Sequence, residues 1–358
     1  MNIKSICKEL QLGALYKYEA LTSGNINVTY CVFTKDGSEL NEYLLQRINK
    51  NVFKNPVAVM DNIVKVTEYI AEHKTRSKLC PLCFNKTKDG KSYVVDEEGN
   101  YWRARQFLDC VTYDTTDDLK VIEEAGFAFG EFQTLLDGFD ASVLYESIPD
   151  FHNTEKRIND LKNAIEYSSS KRKEEAAEEI EYVLSNESTA VSLCEMLKRG
   201  EIPLRVTHND TKCNNVVFNK HTHEALAVID LDTIMPGLTA YDFGDGARSI
   251  CCTTEEDEAD LDKVKFRLDK FEAFTKGYLG KLGHILTENE KKTLGISCYV
   301  MTLELASRFL EDYLNGDTYF KINYEKQNLL RTRCQIALAK DIMNKINDIN
   351  AIVKKYSD

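Results

Sequence analysis

The chain has 358 residues, of which 43% are hydrophobic, and this length and composition predict a globular protein of about two domains. Its formal net charge is −12 and it has no sustained basic tract, which excludes nucleic acid as an expected partner. Because no apolar run approaches the roughly 20 residues that span a bilayer, and no signal peptide begins the chain, we expect a cytoplasmic protein without a membrane partner.

The 11 cysteines are odd in number and scattered along the chain. Cys80 and Cys83 form a single C-x-x-C pair, but no second pair of ligands stands at zinc-motif spacing and no thioredoxin-like context surrounds them. We therefore expect reduced thiols rather than a zinc or redox site.

The first hundred residues predict a helix followed by an antiparallel sheet. Apolar residues recur at helical spacing from Ile3 to Leu10. Short β-prone runs then predict strands, and a longer amphipathic pattern predicts a second helix. The strands lie within 21–33, 43–48, 92–95 and 101–108, and the helix covers 56–71.

A polar turn and one strand are candidates for nucleotide contacts. Ser23, Gly24 and Asn25 could cover a nucleotide, because glycine has no Cβ and lets backbone N–H groups approach phosphates; an ordinary hairpin turn is the alternative. The strand that carries Val-Ala-Ile-Lys in protein kinases has no Lys here, which leaves Gln46 or Arg47 to contact the phosphates. Neighbouring strand residues face opposite sides, so only one of these two can do so.

The strand over 101–108 should lead into a hinge between two lobes, where adenine would lie against Phe107 and Leu108. Past Cys110 the pattern changes from strand to helix, so we place the lobe boundary near residue 110. Helices are predicted over 121–136, within 153–200 and over most of 260–350.

The middle of the chain contains a His-x-Asp-x-x-x-x-Asn pattern at His208, Asp210 and Asn215, and Asp230 ends an apolar run 20 positions after Asp210. Short β-prone runs and turns predict a strand, a loop and a hairpin that bring Asp210, Asn215 and Asp230 to one end of the hairpin. Kinases of the protein-kinase-like type use this arrangement: one Asp accepts the hydroxyl proton, while the Asn and the second Asp hold Mg²⁺. Ordinary loop residues are the alternative interpretation.

Asp242, Phe243 and Gly244 spell the D-F-G motif whose Asp binds Mg²⁺ in protein kinases. The motif lies 32 residues beyond Asp210, whereas Asp230 already stands at a predicted strand end, where a metal ligand is expected. We therefore interpret Asp242 as a structural residue that hydrogen-bonds the backbone of the catalytic loop.

Specific motifs are found in the segment that contains Asp210 and Asn215, which is Val206–Asn215. Four later segments also carry such motifs: Leu231–Gly237, Tyr241–Asp245, Arg308–Tyr313 and Asn328–Arg333. Together they resemble the N-acetylhexosamine 1-kinases, which belong to the aminoglycoside phosphotransferase and choline kinase-like group. The strand without Lys also fits this family, although Asn25 replaces a His that is usual there.

The resemblance implies an α+β, bilobal protein-kinase-like fold. A nucleotide-binding lobe over 1–110 would hold an antiparallel sheet with a helix, and a larger, mainly helical catalytic and sugar-binding lobe over 111–358 would carry the catalytic β-hairpin. The implied reaction is phosphate transfer from ATP, with Mg²⁺, to the anomeric hydroxyl of N-acetylglucosamine or N-acetylgalactosamine in amino-sugar salvage. We expect these small molecules as partners, and a monomer or weak dimer.

The resemblance also implies roles for individual residues. Asp210 is the expected base, and Lys212 is expected to neutralise the γ-phosphate in place of the missing strand Lys. Asn215 and Asp230 are the expected Mg²⁺ ligands, with His208 and Asp242 as structural supports.

On the acceptor side, Thr233 and Arg308 match positions that contact the sugar, and Tyr319 is expected to form a wall of the pocket. For Arg308 the alternative is a helix-surface ion pair with Glu304 or Glu311, which lie at helical spacing from it. Two further functions remain open: a kinase of the same fold with another acceptor, such as another sugar or an amino alcohol, and a nucleotide-binding pseudokinase.

Overall fold

The computed structural model describes residues 2–21, 26–73 and 77–357. The N-terminal part consists of a short helix, α1 (Ile3–Glu9), and a five-stranded antiparallel sheet. In spatial order the strands are β1 (Ala14–Leu21), β2 (Val28–Asp36), β3 (Glu39–Arg47), β5 (Tyr101–Gln106) and β4 (Val94–Val95). Ser23, Gly24 and Asn25, which we predict to contact the nucleotide, lie outside the described residues.

The sheet buries one face against α1. Leu45 on β3 and Trp102 on β5 pack with Ile6 and Leu10 of α1, and each of the four is at most 2% exposed. Because side chains alternate along a strand, the neighbouring residues Gln46 and Arg103 emerge on the opposite face, towards the rest of the chain.

The helix α2 (Pro56–His73) packs into the larger core of the chain instead of the small core under the sheet. Its buried Asn62 donates hydrogen bonds to the carbonyl oxygens of Tyr145 and Ile234, at 2.6 and 2.9 Å, and accepts one from the Tyr145 N–H. This helix therefore joins the sheet firmly to the C-terminal part.

The C-terminal part is mainly helical, and the α+β class with an antiparallel sheet before a larger helical region is confirmed. Its helices are α3 (Leu119–Leu135), α4 (Thr154–Tyr167), α5 (Ser170–Glu175), α6 (Ala177–Ser185), α7 (Glu187–Ala190), α8 (Ser192–Lys198), α9 (Thr239–Cys251), α10 (Leu268–Leu282), α11 (Glu288–Leu314), α12 (Gln327–Asn344) and α13 (Ile346–Ser357). None of the described helices combines the length and apolarity needed to cross a membrane.

Two short β-ladders support the middle of this part. The hairpin of β7 (Val216–Phe218) and β8 (Ala225–Val228) agrees with the prediction. The strand β6 (Arg205–Thr207) does not extend that hairpin but pairs with β9 (Met235–Gly237). The sequence gives little warning of β9, because it is three residues long and contains Pro236, which cannot donate to a ladder.

Glycines allow α3 and α10 to touch along their backbones. A Cβ on Gly277 of α10 would lie 2.0 Å from the carbonyl oxygen of Glu123, and one on Gly126 of α3 would lie 2.2 Å from that of Phe274. Gly280, one turn beyond Gly277, has open space around the same position.

This contrast gives a matched pair of variants for urea unfolding. We expect Gly277→Ala to lower the free energy of unfolding by about 1–3 kcal/mol or more, because two helix backbones must move apart. Gly280→Ala should raise it by about 0.5–1 kcal/mol, because alanine is the better helix former. Equal stability of the two variants would contradict this packing.

Candidate active site

The catalytic loop leaves β6 and delivers Asp210 and Asn215 to the same point. The side-chain amide of Asn215 donates to the Asp210 carboxylate at 3.0 Å and to the Asp210 carbonyl oxygen at 2.7 Å. Asp230 follows β8 in a left-handed conformation, with φ of 56°. Its carboxylate interacts electrostatically with that of Asp210, so the structure brings all three predicted residues together.

Negative charge is concentrated at this point. Part of the Asp230 residue is exposed to solvent, but the protein surrounding its carboxylate excludes much of the water, and this desolvation raises its pKa. The carboxylates of Asp232 and Asp210 add to the effect, and together they raise the pKa of Asp230 to about 6. A hard cation such as Mg²⁺ would relieve this repulsion, and an amide and a carboxylate oxygen suit it.

Asp242 holds the backbone of the catalytic loop. Its buried carboxylate accepts hydrogen bonds from the N–H groups of His208 and Asn209, at 2.8 and 2.7 Å, and from the side chain of Gln133 at 2.7 Å. These contacts are those expected of a structural Asp. Asn209 has a φ of 64°, which is a left-handed conformation. Such a conformation persists only where the surrounding contacts hold the peptide groups on both sides of the residue.

The His208 side chain contacts both the catalytic loop and the end of β8. Its Nε2 lies 2.8 Å from the carbonyl oxygen of Ile229, and its Nδ1 accepts a hydrogen bond from the Asp210 N–H at 3.3 Å. The ring thereby joins Asp210 to the strand end that carries Asp230. Lys212, two residues later, places its ammonium group 3.3 Å from the Asp210 carboxylate, which raises the pKa of Lys212.

The strand position that lacks Lys belongs to a buried hydrogen-bonded network. Gln46 on β3 lies opposite Arg103 on β5, and its side-chain oxygen accepts a hydrogen bond from Arg103 Nε at 3.1 Å. Arg103 then makes a two-pronged ion pair with Asp232, and both side chains are at most 3% exposed. Arg47 faces the other side of the sheet, over the Trp102 ring.

The predicted hinge residues follow β5 directly. Phe107 and Leu108 are half-buried, and the Phe107 N–H donates to the carbonyl oxygen of Glu42 at 3.0 Å. Val111 then forms a bridge with Phe218 at the end of β7. The chain thus passes from the sheet to the catalytic hairpin within a few residues of the predicted lobe boundary.

On the acceptor side, the Arg308 guanidinium lies between the rings of Phe151 and Phe320, at 5.4 and 5.7 Å from their centroids. Burial lowers the pKa of Arg308, against the opposing effect of Glu304. Among the described residues neither Glu304 nor Glu311 comes within ion-pair distance of it, although the Glu304 carboxylate interacts with it electrostatically. The Glu304 carboxylate instead lies 2.8 Å from Nδ1 of His152.

The other two predicted acceptor residues differ in exposure. The Thr233 side chain is 7% exposed, and its hydroxyl donates to the His208 carbonyl oxygen at 2.7 Å. Tyr319 is 69% exposed and interacts electrostatically with the Arg308 side chain. Thr233 therefore lies against the catalytic loop, whereas Tyr319 stands at the rim beside Arg308.

Two other features of the structure do not include Asp210, Asn215 or Asp230. A cavity of about 370 Å³ reaches Asn209 from the side of Phe151 and Tyr241, but Asp210, Asn215 and Asp230 do not line it. Cys80 and Cys83 are exposed free thiols, and no cluster of three or more His, Cys, Asp or Glu side chains suited to a metal occurs among the described residues.

Residues 17–275 match the model of the phosphotransferase enzyme family (APH). The chain belongs to this family. The match covers the sheet, the catalytic loop and both predicted metal ligands.

Solved structures of similar fold include an aminoglycoside phosphotransferase from Alicyclobacillus acidocaldarius, with a TM-score of 0.64 and 11% identity over 98% of this chain and 96% of that one. A choline kinase from Cryptosporidium parvum has a TM-score of 0.57 and 12% identity over 95% and 93%. Spectinomycin phosphotransferase APH(9)-Ia, in complex with ADP and spectinomycin, has a TM-score of 0.54 and 11% identity over 96% and 98%. At these identities the likeness establishes the protein-kinase-like fold.

Sequence reasoning missed Arg103 and Asp232. Both have a signal in the sequence. Asp232 is a second acidic residue two positions after Asp230, and Arg103 stands between Trp102 and Ala104 in a predicted strand. Their pairing is not visible, because they are 129 positions apart and meet only when the sheet lies over the catalytic segment.

The Arg103–Asp232 pair should be strongly coupled. Arg103→Met leaves Asp232 buried without a cation, and we expect it to lower the free energy of unfolding by about 3–5 kcal/mol. Adding Asp232→Asn should recover part of that loss, measured by urea unfolding. Arg199→Met, at an exposed ion pair, should change stability by less than about 0.5 kcal/mol. Additive effects of the two changes would contradict the pairing.

The raised pKa of Asp230 also has a consequence for stability. Ionising this carboxyl costs free energy in the folded protein, so Asp230→Asn should raise Tm by roughly 1–3 °C at about pH 8 in EDTA. The advantage should be full above about pH 6 and shrink as the pH falls towards ~4, where the unfolded carboxyl also takes up its proton. A variant less stable than wild type at pH 8 would refute the proposed charge repulsion.

Proposed function

We propose that this phosphotransferase is an ATP- and Mg²⁺-dependent kinase of N-acetylhexosamines that forms the sugar 1-phosphate in amino-sugar salvage. The observation that carries the phosphate-transfer part is the convergence of Asp210, Asn215 and Asp230 on one point of the cleft. The family match and the ADP named in one structural relative support a nucleotide as the phosphate donor.

Asn215 and Asp230 would hold Mg²⁺. They offer an amide oxygen and a carboxylate, and nucleotide phosphates and water would complete the six ligands that this ion prefers. When bound, the ion supplies charge neutralisation and orientation of the phosphates. The clustered carboxylates around Asp230 fit this role because they already repel one another.

The chain's own residues then position the acceptor and its proton. Asn215 donates to one oxygen of the Asp210 carboxylate, which fixes the plane of the group. The Asp210 carboxylate would accept the proton of the anomeric hydroxyl as it attacks the γ-phosphorus. Lys212, beside Asp210, would balance the charge of the γ-phosphate.

The acceptor assignment rests on the character of the surface around Arg308. A neutral sugar needs directional hydrogen bonds and an aromatic wall rather than net charge. The Arg308 guanidinium lies between Phe151 and Phe320, with Tyr319 at the rim, and forms no ion pair among the described residues. The guanidinium could donate to the acetamide carbonyl or to ring hydroxyls. The motif resemblance over Arg308–Tyr313 supports the same assignment.

A cationic amino alcohol is the second candidate acceptor, since a choline kinase has a similar fold. Such an acceptor prefers carboxylates and aromatic faces. The buried Arg308 disfavours it, because a second cation beside this group would be repelled. A pseudokinase, the third candidate, is favoured by the missing strand Lys but disfavoured by the convergence of Asp210, Asn215 and Asp230.

A coupled ADP-release assay with Mg-ATP tests the proposal. The acceptors are N-acetylglucosamine, N-acetylgalactosamine, glucose, galactose and choline, and phosphorus NMR identifies the product. We expect turnover with the N-acetylated sugars and a phosphate on the anomeric oxygen. Turnover with choline alone would replace the acceptor, and absence of turnover with measurable ATP binding would favour the pseudokinase.

Removing the proposed base should abolish most of the activity. Asp210→Ala should lower kcat with the best acceptor by at least ~10²-fold, as expected when a positioned proton acceptor is lost. Asp109→Asn, whose side chain is exposed and paired with Lys220, is the matched control and should keep wild-type kcat. Turnover of Asp210→Ala near the wild-type rate would reject this role.

A further inference from the structure

We propose that His152 is a positioning residue that, as an imidazolium, ties the acceptor-side helix α11 to the backbone immediately before Asp210. This inference deepens the proposed function and rests on it for the kinetic part of its test. Nothing in the sequence motifs marks His152, which lies in the segment between α3 and α4.

The two hydrogen bonds of the ring define its protonation. His152 Nδ1 lies 2.8 Å from a carboxylate oxygen of Glu304, and Nε2 lies 3.1 Å from the carbonyl oxygen of Asn209. A carbonyl oxygen can only accept, so Nε2 must carry a proton. The second oxygen of Glu304 accepts from the Thr154 hydroxyl at 2.6 Å, which favours a carboxylate and therefore a proton on Nδ1 as well.

The peptide that His152 reaches is the one that leads into Asp210. Asp242 already holds the N–H of Asn209, and the Asn209 side chain donates to the carbonyl oxygen of Thr233 at 2.9 Å. His152 holds the remaining polar group, the Asn209 carbonyl oxygen. With both ends of this left-handed residue fixed, the direction in which the chain enters Asp210 is fixed too.

The same segment reaches the acceptor side. Phe151, next in sequence to His152, packs its ring against Arg308. Glu304 lies one helical turn before Arg308 on α11, so the carboxylate that holds His152 is on the helix that carries the proposed sugar ligand. His152 therefore connects the group that would bind the acceptor with the group that would take its proton.

The surroundings favour the charged ring. Burial alone would disfavour it, but the Glu304 and Asp245 carboxylates and the Asn209 carbonyl oxygen together raise the pKa of His152 above its usual 6.5. Burial likewise opposes the ionised form of Glu304, yet His152 holds the pKa of Glu304 below its usual value. The charged and titratable groups around the pair are Asp245 and Tyr241 on α9 and Arg308 on α11, and Arg157 on α4 acts on Arg308.

The sign of the pH effect follows from this geometry. Below the raised pKa of His152 both ring nitrogens donate, and the connection is intact. Above it one nitrogen becomes an acceptor that faces an oxygen atom, and that hydrogen bond is lost. We therefore expect kcat to fall on the alkaline side, through the titration of His152.

The test uses three variants of the full chain. His152→Gln should lower kcat roughly tenfold or more, with the KM for ATP within about twofold of wild type, because a hydrogen bond to a charged group is lost away from the nucleotide. Glu304→Gln should move the alkaline fall in kcat to lower pH, because it removes the charge that stabilises the imidazolium. Glu288→Gln, exposed on the same helix, should behave as wild type.

An NMR measurement separates this inference from the proposed function. In the folded wild-type protein, the ¹⁵N signals of His152, assigned with His152→Gln, should report protons on both nitrogens at about pH 7 and titration above ~6.5. A neutral ring at pH 7 would overturn the inference whatever the acceptor is, and so would an alkaline limb that Glu304→Gln leaves in place. Failure of all tested sugars with a protonated ring would instead reject only the acceptor assignment.

Discussion

The geometry of the site depends on one buried carboxylate that holds a turn of backbone. Asp242 accepts the N–H groups of two successive loop residues, and this keeps Asn209 in its left-handed conformation just before Asp210. Asp242 can do so because α9 lies close to α11: a Cβ on Gly244 would stand 2.5 Å from the Ser297 carbonyl oxygen. The packing of the helical core thus sets the position of a residue in an irregular loop.

A second set of buried polar contacts holds the sheet over the loop. Arg103 reaches from β5 to Asp232, and Asn62 of α2 hydrogen-bonds the carbonyl oxygen of Ile234 two residues later. Both contacts end on the segment that directly follows Asp230. Because buried polar groups tolerate little displacement from their partners, the sheet and the segment that follows Asp230 must keep a fixed relation.

Charge at the site is arranged for ligands rather than for stability. Asp210 and Asp232 both repel Asp230, and the neighbouring cations Lys212 and Arg103 pair with Asp210 and Asp232 respectively. The arrangement costs folding free energy in the absence of a cation, as is usual where a protein prepares charge for a substrate. On the proposed acceptor side the charge is positive. Arg308 lies between two aromatic rings and forms no ion pair among the described residues.

The sequence by itself determined the α+β class, the order of most helices and strands, and the convergence of Asp210, Asn215 and Asp230, because short-range periodicity and a hairpin fix these. The roles of those residues stay predictions. Only the tertiary structure decided that Arg103 hydrogen-bonds Gln46, that β6 pairs with β9, and that His152 contacts Glu304 and Asn209. These contacts join residues far apart in the chain, and strand register and helix packing, which local patterns do not encode, bring them together.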